Sequence, residues 1–509
     1  MSDQSVHDLL RSDERIVVIE APGGCGKTFQ GANYALDIAP TLNNGKVLIL
    51  THTNAACDVF AESTKGLTGS RTEIRTIDSL VTQIASAYHM ALDLPPDPTT
   101  WAYANNGFTE IAAKVATLLS NNPMISSTLV RRYPIIVCDE HQDASPDHHT
   151  IIMCLHDNGA KLRIFGDCMQ SIYESNPKAA QRHRDRWQIL LNQSANDELE
   201  EPHRWKKNGE GCEKLGTWVM TARQTLLNGG SIDLTGNLPP SIKIIHANNT
   251  ASHHHGYQVK KQVRQPIDRC FNSHEQILVL ASSNGLVQSL RTFWGRRVPI
   301  WEGHTRNALA QLVYDLESAN NDAKKIGSAV VKFMSAIGSG FSSSSHGNAL
   351  LKEIDCKCAK PRQKKPGNIQ VLAKLILKQP NNVGAALAIS QIHNFIDERK
   401  PGFTDIRIDM WREFREAQKL AAFDDPVKGF AEITMSRAVT RPKPPQKSLS
   451  TVHKAKGLEC DNVMLMHSDR SSFGDTIYGR CKLYVALSRA KSTLTIVIPN
   501  SNPSPLFSV

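Results

Sequence analysis

The chain has 509 residues, and its 59 Lys and Arg outnumber its 49 Asp and Glu, which gives a formal net charge of +10 at pH 7. This length predicts about two to four domains, and the basic balance favours a polyanionic partner. The 11 cysteines follow no regular spacing, and no apolar run is long enough to cross a bilayer. These features argue against a disulfide framework and against membrane insertion, and they predict a reducing, cytoplasmic setting.

The first informative elements are a predicted strand at residues 16–19 and a predicted helix that follows residue 28. Between them lies Ala-Pro-Gly-Gly-Cys-Gly-Lys-Thr, residues 21–28, a pattern typical of a phosphate-binding loop. Its backbone N–H groups would surround the phosphates of ATP, Lys27 would reach the β and γ phosphates, and Thr28 would bind Mg²⁺. The predicted nucleotide contacts of this segment are Gly23, Gly24, Cys25, Gly26, Lys27, Thr28 and Phe29.

A second predicted strand, residues 133–138, ends on the adjacent carboxylates Asp139 and Glu140. A strand followed by Asp-Glu is common and is usually a solvated turn. Its position downstream of Lys27 favours a catalytic interpretation, in which Asp139 holds Mg²⁺ and Glu140 deprotonates the water that attacks the γ phosphate.

The order of short segments along the chain resembles that of the UvrD/Rep/PcrA-type branch of superfamily one DNA helicases. The segments that carry this resemblance are residues 21–28, 51–56, 76–80, 139–143, 166–173, 199–205, 451–459 and 484–490. The resemblance implies that Gln170 senses the γ phosphate and that Arg204 and Arg489 reach ATP from a second motor domain. It also places His203 where a tyrosine normally stacks on adenine, and it assigns Gly457 and Glu459 to the nucleotide site.

The same resemblance implies a track for single-stranded or tailed DNA. Its predicted contacts are Thr51, Thr53, Asn54, Thr76, Tyr173, Thr451 and His453. Two positions at which the family carries phenylalanine are His52 and Ile77 in this chain. Because stacking of bases on aromatic rings contributes about 1–3 kcal/mol per base, we expect weaker base stacking here than in the family.

The resemblance implies an α/β fold with two RecA-like parallel-sheet motor domains and a mainly helical insertion in the second. Residues 1–195 are expected to form the first domain, with a short insertion at about 85–125. Residues 196–295 and 446–509 are expected to form the second domain, and residues 296–445 its helical insertion.

The predicted function is that of an ATP- and Mg²⁺-dependent helicase or translocase on single-stranded DNA, and the resemblance implies 3′-to-5′ movement. The alternative is a DNA-stimulated ATPase that regulates a nuclease partner and unwinds weakly by itself. The compact size and the missing aromatic residues are similar to those of the short UvrD-like components of Gabija-type anti-phage systems, which partner an OLD-type nuclease. No membrane association is expected in either case.

Overall fold

The computed structural model describes residues 2–65, 71–105, 107–206, 209–247, 249–252, 256–259, 261–295, 297–301, 306–436 and 445–509. The chain divides into two compact units. The first unit comprises Met1–Ile84, Ala112–Gly303 and Arg441–Val509, and the second comprises Ala85–Ile111 and His304–Thr440. In the described residues, no helix combines the length and the apolar character that crossing a membrane requires.

Most of the described strands are short. They are β1 (Ile16–Glu20), β2 (Val47–Thr51), β3 (Thr72–Thr76), β4 (Ile135–Cys138), β5 (Lys161–Gly166), β6 (Ala195–Glu198), β7 (Ile232–Asp233), β8 (Ile242–Ala247), β9 (Asn249–Ser252), β10 (Gly256–Val259), β11 (Ile277–Ala281), β12 (Gly338–Ser339), β13 (Arg407–Ile408), β14 (Lys447–Thr451), β15 (Cys460–Leu465), β16 (Ala490–Pro499) and β17 (Phe507–Ser508).

Helices connect these strands and form most of the second unit. They are α1 (Ser2–Leu10), α2 (Lys27–Ile38), α3 (Asn54–Ser63), α4 (Ile77–Ala87), α5 (Pro98–Asn105), α6 (Phe108–Asn121), α7 (Pro123–Arg132), α8 (Pro146–Asp157), α9 (Pro177–Asn192), α10 (His203–Lys206), α11 (Glu210–Leu227), α12 (Lys261–Ser273), α13 (Asn284–Phe293), α14 (Asn307–Ala319), α15 (Ala323–Ile337), α16 (Asn348–Asp355), α17 (Lys364–Lys378), α18 (Asn382–Asp397), α19 (Trp411–Lys419), α20 (Pro426–Ser436) and α21 (Ile477–Leu487).

The first unit contains a six-stranded parallel sheet in the order β3-β2-β4-β5-β1-β6. Strands β2 and β4 are buried along their whole length, as their apolar, β-branched sequences predict for a sheet covered on both faces. Since the carboxyl ends of parallel strands meet at one edge, the loops after β1, β4 and β5 lie side by side. Strand β6 pairs with β1, so this sheet extends beyond residue 195.

A second parallel sheet in the same unit has the order β14-β11-β15-β16-β8. Its core includes Leu215, Val219 and Leu226 from α11 and Leu483 from α21, all fully buried. Two large parallel sheets surrounded by helices confirm the predicted α/β class and agree with two RecA-like domains.

In the second unit, α14–α20 surround an apolar core that includes Phe333, Ile389, Phe403 and Phe414. Helix α5 packs against α20. The insertion of the first domain is predicted at about residues 85–125. Its residues 85–111 share a compact unit with residues 304–440, whereas the unit that contains the first sheet resumes at Ala112.

Candidate functional site

The glycine-rich loop connects β1 to α2 at the carboxyl edge of the first sheet. Gly24 and Gly26 have φ angles of +94° and +84°, which residues with a Cβ rarely adopt. Gly26 is the N-cap residue of α2, and among the described residues no side chain forms a capping hydrogen bond there. The first-turn N–H groups of α2 are therefore oriented as an anion site requires.

Lys27 lies between the two carboxylates that follow β4. Its Nζ is 3.3 Å from Asp139 Oδ1 and also forms an ion pair with Glu140. Burial lowers the pKa of Lys27, but the two carboxylates raise it by more, so the ammonium stays charged. Burial raises the pKa of Glu140, but the charges of Lys27 and Lys456 hold it well below its usual range. Lys27 and Glu140 therefore form an ammonium–carboxylate pair at neutral pH. Burial raises the pKa of Asp139, although the charge of Lys27 opposes this shift.

Glu140 has φ +53°, an uncommon backbone conformation for a residue other than glycine. Its carboxylate accepts a hydrogen bond from Gln142 Nε2, and Gln142 Oε1 accepts one of 3.0 Å from the N–H of Asp167. The loop after β4 is thereby tied to the loop after β5. Because these contacts hold a strained residue in place, the Glu140 side chain has a defined position beside Lys27.

Gly23 lies close to side chains from the segments next to both sheets: Gln170 follows β5, Tyr484 is on α21, and Arg489 precedes β16. A Cβ added at Gly23 would lie 3.4 Å from Gln170 Nε2, 3.4 Å from Tyr484 Oη and 3.5 Å from Arg489 Nη2. The Gly23 N–H donates a 2.9 Å hydrogen bond to Tyr484 Oη, and Gln170 Nε2 donates one of 3.0 Å to Asp167 Oδ2. The structure therefore brings Gln170 and Arg489 together at the phosphate loop.

Arg204, on α10, also lies against this loop. Its N–H donates to Gly24 O at 3.0 Å, and its guanidinium donates to Ser488 O at 2.6 Å and pairs with Glu459 at 2.6 Å. Burial and the charge of Arg204 lower the pKa of Arg489 to about 10, which leaves Arg489 protonated at neutral pH. Two cationic groups of this kind favour an anion beside the loop.

The other residues that are predicted to contact the nucleotide differ in their burial and in their neighbours. His203 Nε2 is 2.5 Å from Asp3 Oδ2, and a Cβ added at Gly26 would lie 3.2 Å from His203 Cδ2. Cys25 is buried, whereas Phe29 is 65% exposed. Thr28 begins α2 with Lys27. Gly457 has a φ angle of +82°, and in the described structure a Cβ added there would have no neighbour within 4 Å.

The predicted DNA contacts fall into two groups. Thr51 and Thr76 are register partners at the ends of β2 and β3, and Thr53 is the N-cap residue of α3. The side chain of Asn54 lies outside the described residues. Ile77, which stands where the resembled family carries phenylalanine, is only 3% exposed.

The second group joins the two sheets. His453 Nε2 is 3.0 Å from Ile172 O and 2.9 Å from Tyr478 Oη, and the ring of Tyr173 is 63% exposed. Thr451, at the end of β14, is buried and accepts a hydrogen bond from the N–H of Lys454. The exposed Tyr173 ring is thus available for stacking, whereas Thr451 is not exposed.

Lys456 connects the second group of predicted DNA contacts to the loops that follow β4 and β5. Its Nζ lies 2.6 Å from Asp143 Oδ2, 2.7 Å from Gln170 O and 5.0 Å from the centre of the Tyr173 ring. Burial raises the pKa of Asp143 to about 6, although the Lys456 charge opposes this shift. A displacement of Lys456 would therefore change its contacts with Asp143, Gln170 and Tyr173 at the same time.

Sequence reasoning did not select several residues of this site. Gln142, Asp167, Lys456 and Tyr484 lie inside recognised segments, so their motif context could have identified them. Trp205 donates a 2.8 Å hydrogen bond to Ala490 O and packs against Gly24. Arg223 lies outside every recognised segment. Its only sequence signal is its position on the apolar stripe of α11, four residues after Val219 and three before Leu226.

The donors and acceptors of this site fit a nucleoside triphosphate with a divalent cation. The loop offers backbone N–H groups and a buried ammonium, and the two arginines supply further positive charge. In the part of the chain that the structure describes, the buried Arg204 Nε has no hydrogen-bond partner, and the contact given for the buried Asp139 Oδ1 is the 3.3 Å ion pair with Lys27. One is an oxygen suited to Mg²⁺ and the other a donor suited to phosphate.

The fold and the site together define a P-loop nucleoside triphosphatase with two parallel-sheet cores. Residues 97–183 match the UvrD/REP helicase N-terminal domain, and residues 448–497 match the UvrD-like helicase C-terminal domain. The first match contains Asp139 and Gln170, and the second contains Lys456 and Arg489. These two matches support a UvrD-type superfamily one helicase, and they indicate an ATP-dependent DNA helicase, which is an ATP hydrolase. A comparison with curated proteins found no match.

Proposed function

We propose that this chain moves along single-stranded DNA in the 3′-to-5′ direction and hydrolyses ATP between its two parallel-sheet cores. The proposal rests on one observation: the side chains of Gln170, Tyr484 and Arg489 all lie next to Gly23. Residues of both cores thereby contact one phosphate loop. The direction of movement rests on the family resemblance.

In this proposal, Lys27 binds the β and γ phosphates, Thr28 and Asp139 hold Mg²⁺, and Glu140 accepts the proton of the attacking water. When bound, Mg²⁺ neutralises charge on the phosphates. Lys27 exchanges its ion pairs with Asp139 and Glu140 for contacts to phosphate, which frees Glu140 to act as a base. Arg204 and Arg489 stabilise the charge on the transferred phosphoryl group.

ATP hydrolysis is coupled to DNA through Lys456. Its ammonium contacts Asp143 and Gln170 O on the first core and lies beside the exposed ring of Tyr173. A base stacked on Tyr173 would therefore influence the loop that carries Gln170.

Single-stranded DNA is expected to raise ATP turnover, and DNA affinity is expected to fall steeply with salt, with a log–log slope of roughly −0.7 per phosphate neutralised. Alanine at Thr53, Tyr173 or His453 should weaken this stimulation and spare basal hydrolysis. Tyr314→Ala is the matched control, because Tyr314 is 59% exposed, close to the 63% of Tyr173. Turnover measured against DNA concentration at several salt concentrations tests the proposal. Equal stimulation of the Tyr173 and Tyr314 variants would contradict it.

The alternative function is a DNA-stimulated ATPase that regulates a nuclease partner of an anti-phage complex. The burial of Ile77 supports this alternative, because a side chain that is 3% exposed offers no surface for base stacking. The isolated chain is then expected to hydrolyse ATP with DNA but to displace little of the strand from a tailed duplex.

Strand displacement on duplexes with 3′ or 5′ tails separates the two functions. Processive displacement by the isolated chain would remove the alternative. DNA-dependent ATPase activity without displacement would favour it, and displacement only from 5′-tailed duplexes would overturn the proposed direction. Lys27→Ala serves as the negative control for ATP-dependent displacement.

We also place the protein in the cytoplasm. All 11 cysteines are free thiols in the structure, which fits a reducing compartment.

A further inference from the structure

Arg223 is the buried centre of a charge network between the two cores of the first unit. It is 2% exposed, and it belongs to α11, whose Leu215, Val219 and Leu226 pack in the core of the second sheet. Its guanidinium, however, binds three carboxylates at the carboxyl edge of the first sheet. These carboxylates are Glu20 at the end of β1, Asp167 after β5 and Glu198 at the end of β6.

The contacts of Arg223 use most of its donors. Nη2 donates to Glu20 Oε1 at 2.8 Å and to Asp167 Oδ1 at 3.1 Å, Nε donates to Asp167 Oδ1 at 3.2 Å, and Nη1 donates to Glu198 Oε1 at 2.8 Å. A planar guanidinium can hold several acceptors in fixed directions, which a lysine ammonium cannot do with the same geometry. The network thus sets the position of Asp167 relative to α11.

Asp167 links Arg223 to the residues that are proposed to act in ATP hydrolysis. It is fully buried, its Oδ2 accepts the 3.0 Å hydrogen bond from Gln170 Nε2, and its N–H donates to Gln142 Oε1. Gln142 in turn donates to Glu140. One carboxylate therefore contacts Arg223 through one oxygen and Gln170 through the other, and its backbone contacts the partner of Glu140.

We propose that Arg223 is a positioning residue that couples the second core, through Asp167, to the orientation of Gln170 and Glu140. A movement of α11 with the second sheet changes the Arg223–Asp167 contact and so changes the alignment of Gln170 at the phosphate loop. The inference rests on the proposed roles of Gln170 and Glu140 in ATP hydrolysis.

The first test is steady-state ATPase kinetics of Arg223→Met with and without single-stranded DNA. We expect kcat to fall at least about tenfold, as misalignment of catalytic groups does, with a change of less than about threefold in KM for ATP. The ratio of DNA-stimulated to basal turnover should approach one. Lys214→Met is the matched control, since Lys214 also lies on α11 and pairs with Glu210, but its side chain is 58% exposed.

A double-mutant cycle separates positioning from a purely structural role. If Arg223 acts through Gln170, Arg223→Met should lower kcat by less than about twofold further in the Gln170→Ala background, because coupled residues are not additive. Additive losses, or a lower melting temperature with unchanged kcat per nucleotide-binding molecule, would overturn the inference. If Arg223→Met does not fold, Arg223→Lys carries the same cycle, because it keeps the charge and loses the multiple contacts.

The single variant Gln170→Ala tests the proposed role of Gln170 separately from the proposed role of Arg223. Full ATP turnover in Gln170→Ala would refute the proposed role of Gln170 and with it this inference. Lost turnover in Gln170→Ala beside normal DNA stimulation in Arg223→Met and Arg223→Lys would refute only the role of Arg223.

Discussion

Lys27→Ala abolishes ATP hydrolysis and weakens nucleotide binding, because the variant loses the buried ammonium that faces the phosphates. It also lowers the melting temperature of the nucleotide-free protein, since Asp139 and Glu140 then lack the cation that pairs with them in the structure. ATPase assays, nucleotide binding and thermal unfolding measure the three effects. Lys46→Ala is a suitable control, because Lys46 pairs with Glu73 on β3 instead.

Glu140→Gln has a different expected signature. The amide cannot accept the proton of the attacking water, so turnover falls by about 10²–10⁴-fold, the range for loss of a general base, while ATP stays bound. Separate measurements of kcat and nucleotide affinity test this result. Glu73→Gln removes a carboxylate of comparable burial from the same sheet and should leave turnover unchanged. Normal turnover in Glu140→Gln would remove Glu140 from the assigned role.

Alanine at Arg204 or Arg489 is expected to lower kcat by about 10³–10⁵-fold, the range for arginine fingers, with a much smaller effect on nucleotide affinity. The reason is that these cations stabilise charge that develops mainly in the transition state. Arg470→Ala is the control, because Arg470 is an exposed arginine in the same core. A loss confined to nucleotide affinity would contradict the assignment.

The two arginines differ in their structural contacts, and this difference sharpens the experiment. Arg489 is 2% exposed and donates to Val485 O, Leu458 O and Ser488 Oγ. Arg204 is 10% exposed, donates to Ser488 O and pairs with Glu459, whose side chain is 44% exposed. Thermal unfolding should therefore show a larger loss of stability for Arg489→Ala than for Arg204→Ala, and kcat should be calculated per folded molecule.

Local sequence determined the elements that build the ATPase site. Alternation of apolar strands with helices predicts parallel sheets. Parallel strands place the loops after β1, β4 and β5 at one edge of the sheet. The glycine pattern before Lys27 and the carboxylates after β4 could be recognised because phosphate binding constrains residues that are close in sequence.

Only the tertiary structure decided the contacts between residues that are far apart in the chain. No local pattern reports that Lys456 contacts Asp143, that Tyr484 accepts from Gly23, or that Arg223 binds Asp167. Burial likewise depends on the packed neighbours, so Ile77 and Phe29 could not be assigned to the interior or the surface from their own segments. The physical reason is that short-range spacing sets backbone geometry, whereas ion pairs and burial arise from surfaces that folding brings together.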